Sequence, residues 1–148
     1  MRIKRGLQWA VAVLGLIPVL AGAGGVVYGL NLVGRADFTS ASLSADSYFR
    51  YLSGLLLAVG LAFWSTIPGI EHKGPLFRWL TFLVFVGGLG RLVSLQLYGL
   101  PPLPMVFGLA MELAVTPLLC LWQWILVLSL RRSGAARMMA TAPTVQSF

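Results

Sequence analysis

Four long apolar runs, separated by short polar or proline-rich stretches, dominate the pattern of the sequence. The runs cover about residues 7–33, 49–70, 76–98 and 105–130. A helix needs about 20 apolar residues to cross a bilayer, and each run is long enough. The pattern therefore predicts an all-α membrane protein in which a four-transmembrane-helix bundle occupies residues 1–130.

The segments between and after the runs carry signals that begin or end helices. Gly34–Ser47 is polar and too short for a domain, and Asp46 or Ser47 is predicted to cap the second helix. Pro68 and Gly69 are predicted to end that helix. Residues 131–148 form a basic tail with many small and polar residues, which we expect to be cytoplasmic and disordered.

Composition indicates lipid, rather than water, as the surrounding medium. Hydrophobic residues make up 58% of the chain and charged residues only 10%, whereas a soluble domain carries about 25% charged residues. The net charge of +7 would indicate nucleic acid only if the basic side chains formed a patch on a soluble surface. They flank the apolar runs instead, so no nucleic-acid partner is predicted. Cys120 is the single cysteine, which excludes a disulfide within the chain.

The distribution of basic and aromatic residues predicts the orientation of the spans. Most of the 11 Lys and Arg residues lie at the amino terminus, around the turn at 71–75, or in the tail. Basic residues are retained on the cytoplasmic side, so we predict a multi-pass membrane protein with both termini on that side (N-in and C-in). The 5 tryptophans lie toward the cytoplasmic ends and the 4 tyrosines toward the outer ends, in agreement with their interfacial preference. The start also resembles a signal peptide, but its apolar run continues to Val33, which favours a retained helix.

Two ionisable residues interrupt the last two runs at matching depth. Arg91 lies about two turns before the end of its run, and Glu112 about two turns after the start of the next run. Helices joined by a short turn are antiparallel neighbours, so we predict a buried salt bridge about 10 Å below the outer interface. Gly87 and Gly108, one turn before each charge, are predicted to clear space on the charged faces.

Four further residues are candidate members of an outer-leaflet polar pocket built on Arg91 and Glu112, namely Arg50, Ser53, Ser94 and Thr116. With Arg50 included, the pocket would be net positive and would suit an anionic head group or a carboxylate. Two alternatives remain open. The ion pair could be a structural staple that fixes helix register, and Arg50 could extend to the membrane interface instead.

Several short motifs resemble those of a known family. They are Phe49–Gly54 (FRYLSG), Gly87–Ser94 (GGLGRLVS), the Gly99–Pro101 turn, and Glu112 followed by Thr116-Pro117. Over roughly 7–130 the chain resembles a bacterial family of small four-helix membrane proteins of unknown function. The resemblance implies an inner-membrane location and no assigned chemistry.

Three classes of function are compatible with this pattern. The favoured hypothesis is a binding or accessory subunit, with membrane lipids as partners and a homo-oligomer or a larger membrane complex as further alternatives. The second is a small dimeric proton-coupled transporter working through Glu112, although a facing arginine would keep that carboxylate ionised. The third, an intramembrane lipid-modifying enzyme, is less favoured because no second acid or histidine lies at the depth of Glu112. No cofactor, metal site or catalytic residue is predicted, since His72 is the single histidine.

Overall fold

Helices account for all of the regular secondary structure in the computed structural model, which describes residues 2–34 and 40–140. Helix α1 spans Arg2–Tyr28 and continues into a 3₁₀ turn at Gly29–Val33. Helices α2 and α3 span Ser40–Thr66 and Gly74–Tyr98. The last part consists of α4 at Leu103–Ala110, a π-helical segment at Met111–Val115, and α5 at Thr116–Ala140.

Four helical stretches among the described residues are long and apolar enough to cross a membrane. They are Ile3–Leu32, Ala41–Thr66, Gly74–Tyr98 and Leu103–Ser133. Only 11% to 22% of the most apolar window of each stretch is buried within the chain. Apolar surface that the chain leaves uncovered on this scale needs another apolar environment. The predictions of an all-α fold and of four helices long and apolar enough to cross a membrane are confirmed, and these features indicate a multi-pass membrane protein.

The second helix begins earlier than its apolar run suggested. α2 starts at Ser40, so the predicted cap at Asp46 or Ser47 is wrong, because both residues lie inside the helix. Asp46 uses its carboxylate differently, since Oδ1 accepts a hydrogen bond from the backbone N–H of Leu30 at 2.7 Å. The polar residues just before the apolar run therefore belong to the helix and do not mark its beginning.

The last helix also extends beyond its apolar run. α5 continues through Ala140, past the predicted end of the span at Leu130, so the first part of the predicted tail is helical rather than disordered. Arginine, alanine and methionine in this part are good helix formers. The remainder of the predicted tail, 141–148, lies outside the described residues.

The described residues form two compact units. The first unit consists of residues 5–34 and 40–69, and therefore of most of α1 together with α2. The second consists of residues 2–4 and 70–140, and therefore of α3, α4 and α5 with the first residues of α1. Each unit contains a pair of packed spans with contacts of its own.

In the first unit, glycines bring the two helices close together. A Cβ atom added to Gly22 would lie 2.6 Å from the backbone N of Leu57 and 2.8 Å from the carbonyl oxygen of Ser53. This position can therefore hold only a glycine without displacing backbone. Further along the pair, Trp64 Nε1 donates a hydrogen bond to the carbonyl oxygen of Ala12 at 3.1 Å. Small residues at such contacts are typical of membrane helices, because packing rather than the hydrophobic effect drives their association.

The end of α1 is held by a polar cluster that we call the Asp46–Arg50 clamp. Gly29 has a φ of 57° and starts the 3₁₀ turn, which leaves carbonyl groups of the preceding helical turn without their usual partners. Arg50 Nη1 donates to the carbonyl oxygens of Val26 and Val27 at 2.6 and 3.1 Å. Arg50 Nε donates to Asp46 Oδ2 at 2.7 Å. The clamp thus satisfies the backbone groups at which α1 stops being α-helical.

In the second unit, polar contacts secure the turn before α3. Gln123, with only 2% of its surface exposed, donates from Nε2 to the carbonyl oxygen of Ile70 at 3.0 Å. Lys4 Nζ donates to Glu71 Oε1 at 2.5 Å. This hydrogen bond holds the pKa of the Glu71 carboxyl below its ordinary value, and burial opposes it only in part.

We expect Gly22→Ala to destabilise the protein, because its new methyl group would meet the backbone of α2. Overpacking of this kind costs about 1–3 kcal/mol. Gly24→Ala is the matched control, since a Cβ there would meet only the Leu32 side chain, at 3.7 Å. Thermal unfolding in detergent should show a lower midpoint for Gly22→Ala and an unchanged or higher midpoint for Gly24→Ala. Equal midpoints for the two variants would contradict the close approach of α1 and α2.

The lowered pKa of Glu71 leads us to predict that the protein loses stability in acid. Because its pKa is lower when the protein is folded, its contribution is present above the unfolded pKa and is lost as pH falls through the folded pKa. Between about pH 5 and about pH 3 the wild type should lose up to about 1 kcal/mol that Glu71→Gln and Lys4→Met do not lose. Denaturant unfolding across this range measures the difference. Parallel acid profiles for all three proteins would mean that the pair contributes nothing.

Candidate functional site

Arg91 and Glu112 meet in the second unit. Arg91 lies on α3 and Glu112 in the π-helical segment, and Arg91 Nε is 3.3 Å from Glu112 Oε2. The structure therefore brings together the two residues on which the predicted site is built. The Glu112 side chain is 16% exposed and that of Arg91 is 46% exposed, so the chain itself encloses the carboxylate but leaves the guanidinium half open.

The contact between these two charges is electrostatic and lacks hydrogen-bond geometry. Glu112 Oε2 is enclosed by the chain, yet it accepts no hydrogen bond from any described group. Enclosed polar atoms in proteins almost always have a partner, and an exception needs an explanation. The carboxylate thus keeps an acceptor atom available beside an arginine whose donors are accessible.

Two glycines make room for the charged pair. A Cβ atom on Gly108 would lie 3.3 Å from Arg91 Nη1, so the predicted role of Gly108 agrees with its position. At Gly87, no described side chain or neighbouring helix comes within 4 Å of a would-be Cβ atom, so its predicted role is wrong. Its neighbour Gly88 lies at the contact instead, because a Cβ there would be 3.0 Å from Glu112 Cβ and 2.8 Å from Leu113 Cδ2. The face of α3 that packs against the last span therefore determines which glycine makes room for the charged pair.

The π-helical segment that carries Glu112 has an identifiable local cause. Pro117 has no N–H, and its ring would clash with the carbonyl group four residues earlier in a regular α-helix. The chain widens before the proline, where the backbone N–H of Thr116 bonds to the carbonyl oxygen of Met111. The hydroxyl of Thr116 donates to the same oxygen at 2.9 Å. Such widened turns are rare and frequently occur at functional sites.

The other predicted site residues have different surroundings. Thr116 uses its hydroxyl within the π-helical segment, while Ser94 is exposed one turn after Arg91 on α3. Arg50 and Ser53 belong to the first unit, where Arg50 forms the clamp with Asp46. The hydroxyl of Ser53 donates to the carbonyl oxygen of Phe49 at 2.7 Å. Arg50 and Ser53 therefore have partners of their own at the contact between α1 and α2.

Fold and site together define a multi-pass helical membrane protein with one charged contact inside its last two spans. The chain belongs to the family described as Domain of unknown function (DUF4345), whose model matches residues 6–123. This match confirms the resemblance to a family of unknown function and includes Arg91 and Glu112. Neither a curated protein nor a solved structure shows significant similarity to the chain.

A double-mutant cycle tests the contact between Arg91 and Glu112. Arg91→Gln should cost about 1–3 kcal/mol, because it leaves an enclosed carboxylate without its cation. Glu112→Gln should cost less, because the half-exposed guanidinium of Arg91 can extend along its span toward the membrane interface. The double variant should be more stable than the sum of the single losses predicts, by a coupling energy of about 0.5–3 kcal/mol.

Denaturant unfolding in one detergent measures all four proteins of this cycle. Arg132→Gln is the control for the loss of a cation, because Arg132 is exposed on α5 and should not couple to Glu112→Gln. Strictly additive losses for Arg91 and Glu112 would mean that the two side chains do not interact.

Proposed function

We propose that the protein is an inner-membrane binding or accessory protein that holds a polar ligand at Arg91 and Glu112. One observation carries this proposal. An enclosed carboxylate oxygen of Glu112, which has no hydrogen-bond donor among the described residues, lies 3.3 Å from Nε of an arginine side chain that is 46% exposed. An ionisable residue inside a membrane span is expensive and marks a functional site by default. A purely structural salt bridge would be expected to use the hydrogen-bonding capacity of its carboxylate fully.

The chemistry of the two side chains defines the class of ligand. Guanidinium binds phosphate and carboxylate groups through paired hydrogen bonds. Glu112 Oε2 needs a donor, such as a hydroxyl or an ammonium group. A lipid head group or small amphiphile that carries both an anion and a donor satisfies both residues. Such a ligand would also complete the burial of the salt bridge, which the chain encloses on the Glu112 side only.

The sidedness of this site is part of the proposal. Both termini would face the cytoplasm, since the basic residues cluster at that end of the spans. Arg91 and Glu112 would then lie in the periplasmic half of the membrane, in a pocket that opens toward the outer leaflet. The exposed tyrosine at position 98, with 86% of its surface uncovered, supports an interface at the end of α3 nearest the site.

A proton-coupled transporter is the second candidate for the same residues. Its support is that Glu112 accepts no hydrogen bond from Arg91, which leaves the carboxylate available for proton exchange. An intramembrane enzyme has weaker support, because acid–base chemistry needs a second tuned group beside the substrate. No such group accompanies Glu112 among the contacts of the described residues.

Native mass spectrometry of the full chain, extracted in a mild detergent, tests ligand binding. The wild type should retain a lipid or small amphiphile. In the double variant Arg91→Gln/Glu112→Gln the ligand-bound fraction should fall at least about tenfold, as expected for lost charge-assisted hydrogen bonds. Arg132→Gln should retain it like the wild type. Equal retention by all three proteins would contradict the proposal. If the wild type retained nothing but drove proton-coupled uptake into vesicles, and Glu112→Gln did not, the transporter would replace it.

A further inference from the structure

A polar cavity lies in the unit formed by α3, α4 and α5, far from Arg91 along α3. It has a volume of about 230 Å³, and its lining includes Glu71, Gly74, Arg78, Gln123, Trp124 and Arg131. At 1.5 Å per residue, Arg78 and Arg91 are separated by roughly 20 Å along α3. The cavity is therefore distinct from the site proposed above, and its function does not depend on that proposal.

Two arginines of this cavity, Arg78 and Arg131, have no acidic partner among the described residues. The chain has only 4 Asp and Glu residues, and the three in the described part are already engaged by Arg50, Lys4 and Arg91. Arg78 donates from Nε to the carbonyl oxygen of Gly74 at 3.3 Å, which leaves its terminal nitrogens without a described acceptor. Arg131 is exposed at the other wall. Two uncompensated guanidinium groups that share one cavity favour an anion.

The remaining wall is fixed by buried polar contacts rather than by flexible side chains. Gln123 is 2% exposed and tied to the carbonyl oxygen of Ile70. A Cβ atom on Gly74 would lie 3.1 Å from Gln123 Nε2 and 3.8 Å from Arg78 Nη2. The absence of a side chain at Gly74 therefore keeps the space between Gln123 and Arg78 open.

Glu71 adds a second requirement on the ligand. Lys4 neutralises its charge through Oε1 at 2.5 Å, so the carboxylate does not cancel the two arginines. Its other oxygen, Oε2, is enclosed and accepts no hydrogen bond from any group in the described part of the chain. A hydroxyl group on the ligand would supply the missing donor, because an ionised carboxylate can only accept.

We propose that this cavity binds the phosphate ester of a hydroxyl-bearing head group, with Arg78 and Arg131 on the phosphate and Glu71 on the hydroxyl. Trp79 and Trp124 are 67% and 53% exposed at this end of the unit, and tryptophan concentrates at the level of lipid head groups. Basic pockets between membrane helices bind anionic lipid head groups for the same electrostatic reasons. The phosphate can come from a membrane lipid or from a soluble phosphate ester.

Binding to defined probes tests this proposal with the purified full chain in a neutral detergent. The probes are phosphatidylglycerol, which carries both a phosphate and hydroxyls, soluble glycerol 3-phosphate, and oleate as an anion without phosphate. Thermal unfolding and native mass spectrometry both measure binding to the wild type, Arg131→Gln, Arg78→Gln and Arg132→Gln. The last variant removes the neighbouring charge on α5 but does not line the cavity.

Phosphatidylglycerol should raise the unfolding midpoint of the wild type and of Arg132→Gln. Its affinity should fall at least about tenfold in Arg131→Gln and in Arg78→Gln, because each loses a charge-assisted hydrogen bond. An equal effect of glycerol 3-phosphate would identify a soluble ester as the ligand, and no effect would identify the lipid. A response to oleate equal to that of phosphatidylglycerol, equal losses in Arg131→Gln and Arg132→Gln, or no binding of either phosphate probe would overturn the proposal.

Discussion

The absence of water from a bilayer core is the constraint on which this structure depends. Each backbone or side-chain polar group within a span must find its partner inside the protein, because an unsatisfied group there costs several kcal/mol. The Asp46–Arg50 clamp meets this requirement where α1 becomes a 3₁₀ turn. Thr116 meets it in the π-helical segment. At both the 3₁₀ turn and the π-helical segment, nearby side chains therefore supply hydrogen bonds to backbone groups.

Against this background, the unsatisfied oxygen of Glu112 is an exception that calls for a cause. Proline and threonine after the π-helical segment explain why the backbone widens there, but they do not explain why a carboxylate occupies the widened turn. Arg91 Nε, 3.3 Å from Glu112 Oε2, lowers the electrostatic cost of the Glu112 charge without forming a hydrogen bond to that oxygen. A bound ligand that donates to this oxygen would account for the residue and for its incomplete pairing together.

The sequence predicted well those features that depend on length and on helix periodicity. Four apolar runs were sufficient to predict four membrane-length helices, since a helix of about 20 apolar residues matches the thickness of the bilayer core. The proximity of Arg91 and Glu112 was predictable because a short turn makes its two helices antiparallel neighbours. Residues at equal distances along the chain from that turn then lie at equal depth. The resemblance to a family without assigned function was also readable from short motifs, and the family model confirms it.

Features that depend on helix rotation and on distant partners were not predictable in this way. Gly88 rather than Gly87 lies at the charged contact, since packing determines which face of α3 meets the last span. The role of Arg50 depends on where α1 stops being α-helical, which places free carbonyl groups of Val26 and Val27 within its reach. Nothing in the periodicity of α2 indicates those acceptors. The Thr116-Pro117 pair was the one available signal for the π-helical segment.

The central claim is that Arg91 and Glu112 are in contact within the membrane. Solid-state NMR in lipid bilayers tests it most directly, through the dipolar coupling between ¹⁵N-labelled arginine and ¹³C-carboxyl-labelled glutamate. We predict a measurable coupling between the Arg91 side-chain nitrogen and the Glu112 carboxyl carbon, because Arg91 Nε lies 3.3 Å from Glu112 Oε2. This coupling should disappear in Glu112→Gln. A spectrum in which Glu112→Gln changes no arginine coupling would contradict the contact, and with it the proposal that these two residues form a ligand site.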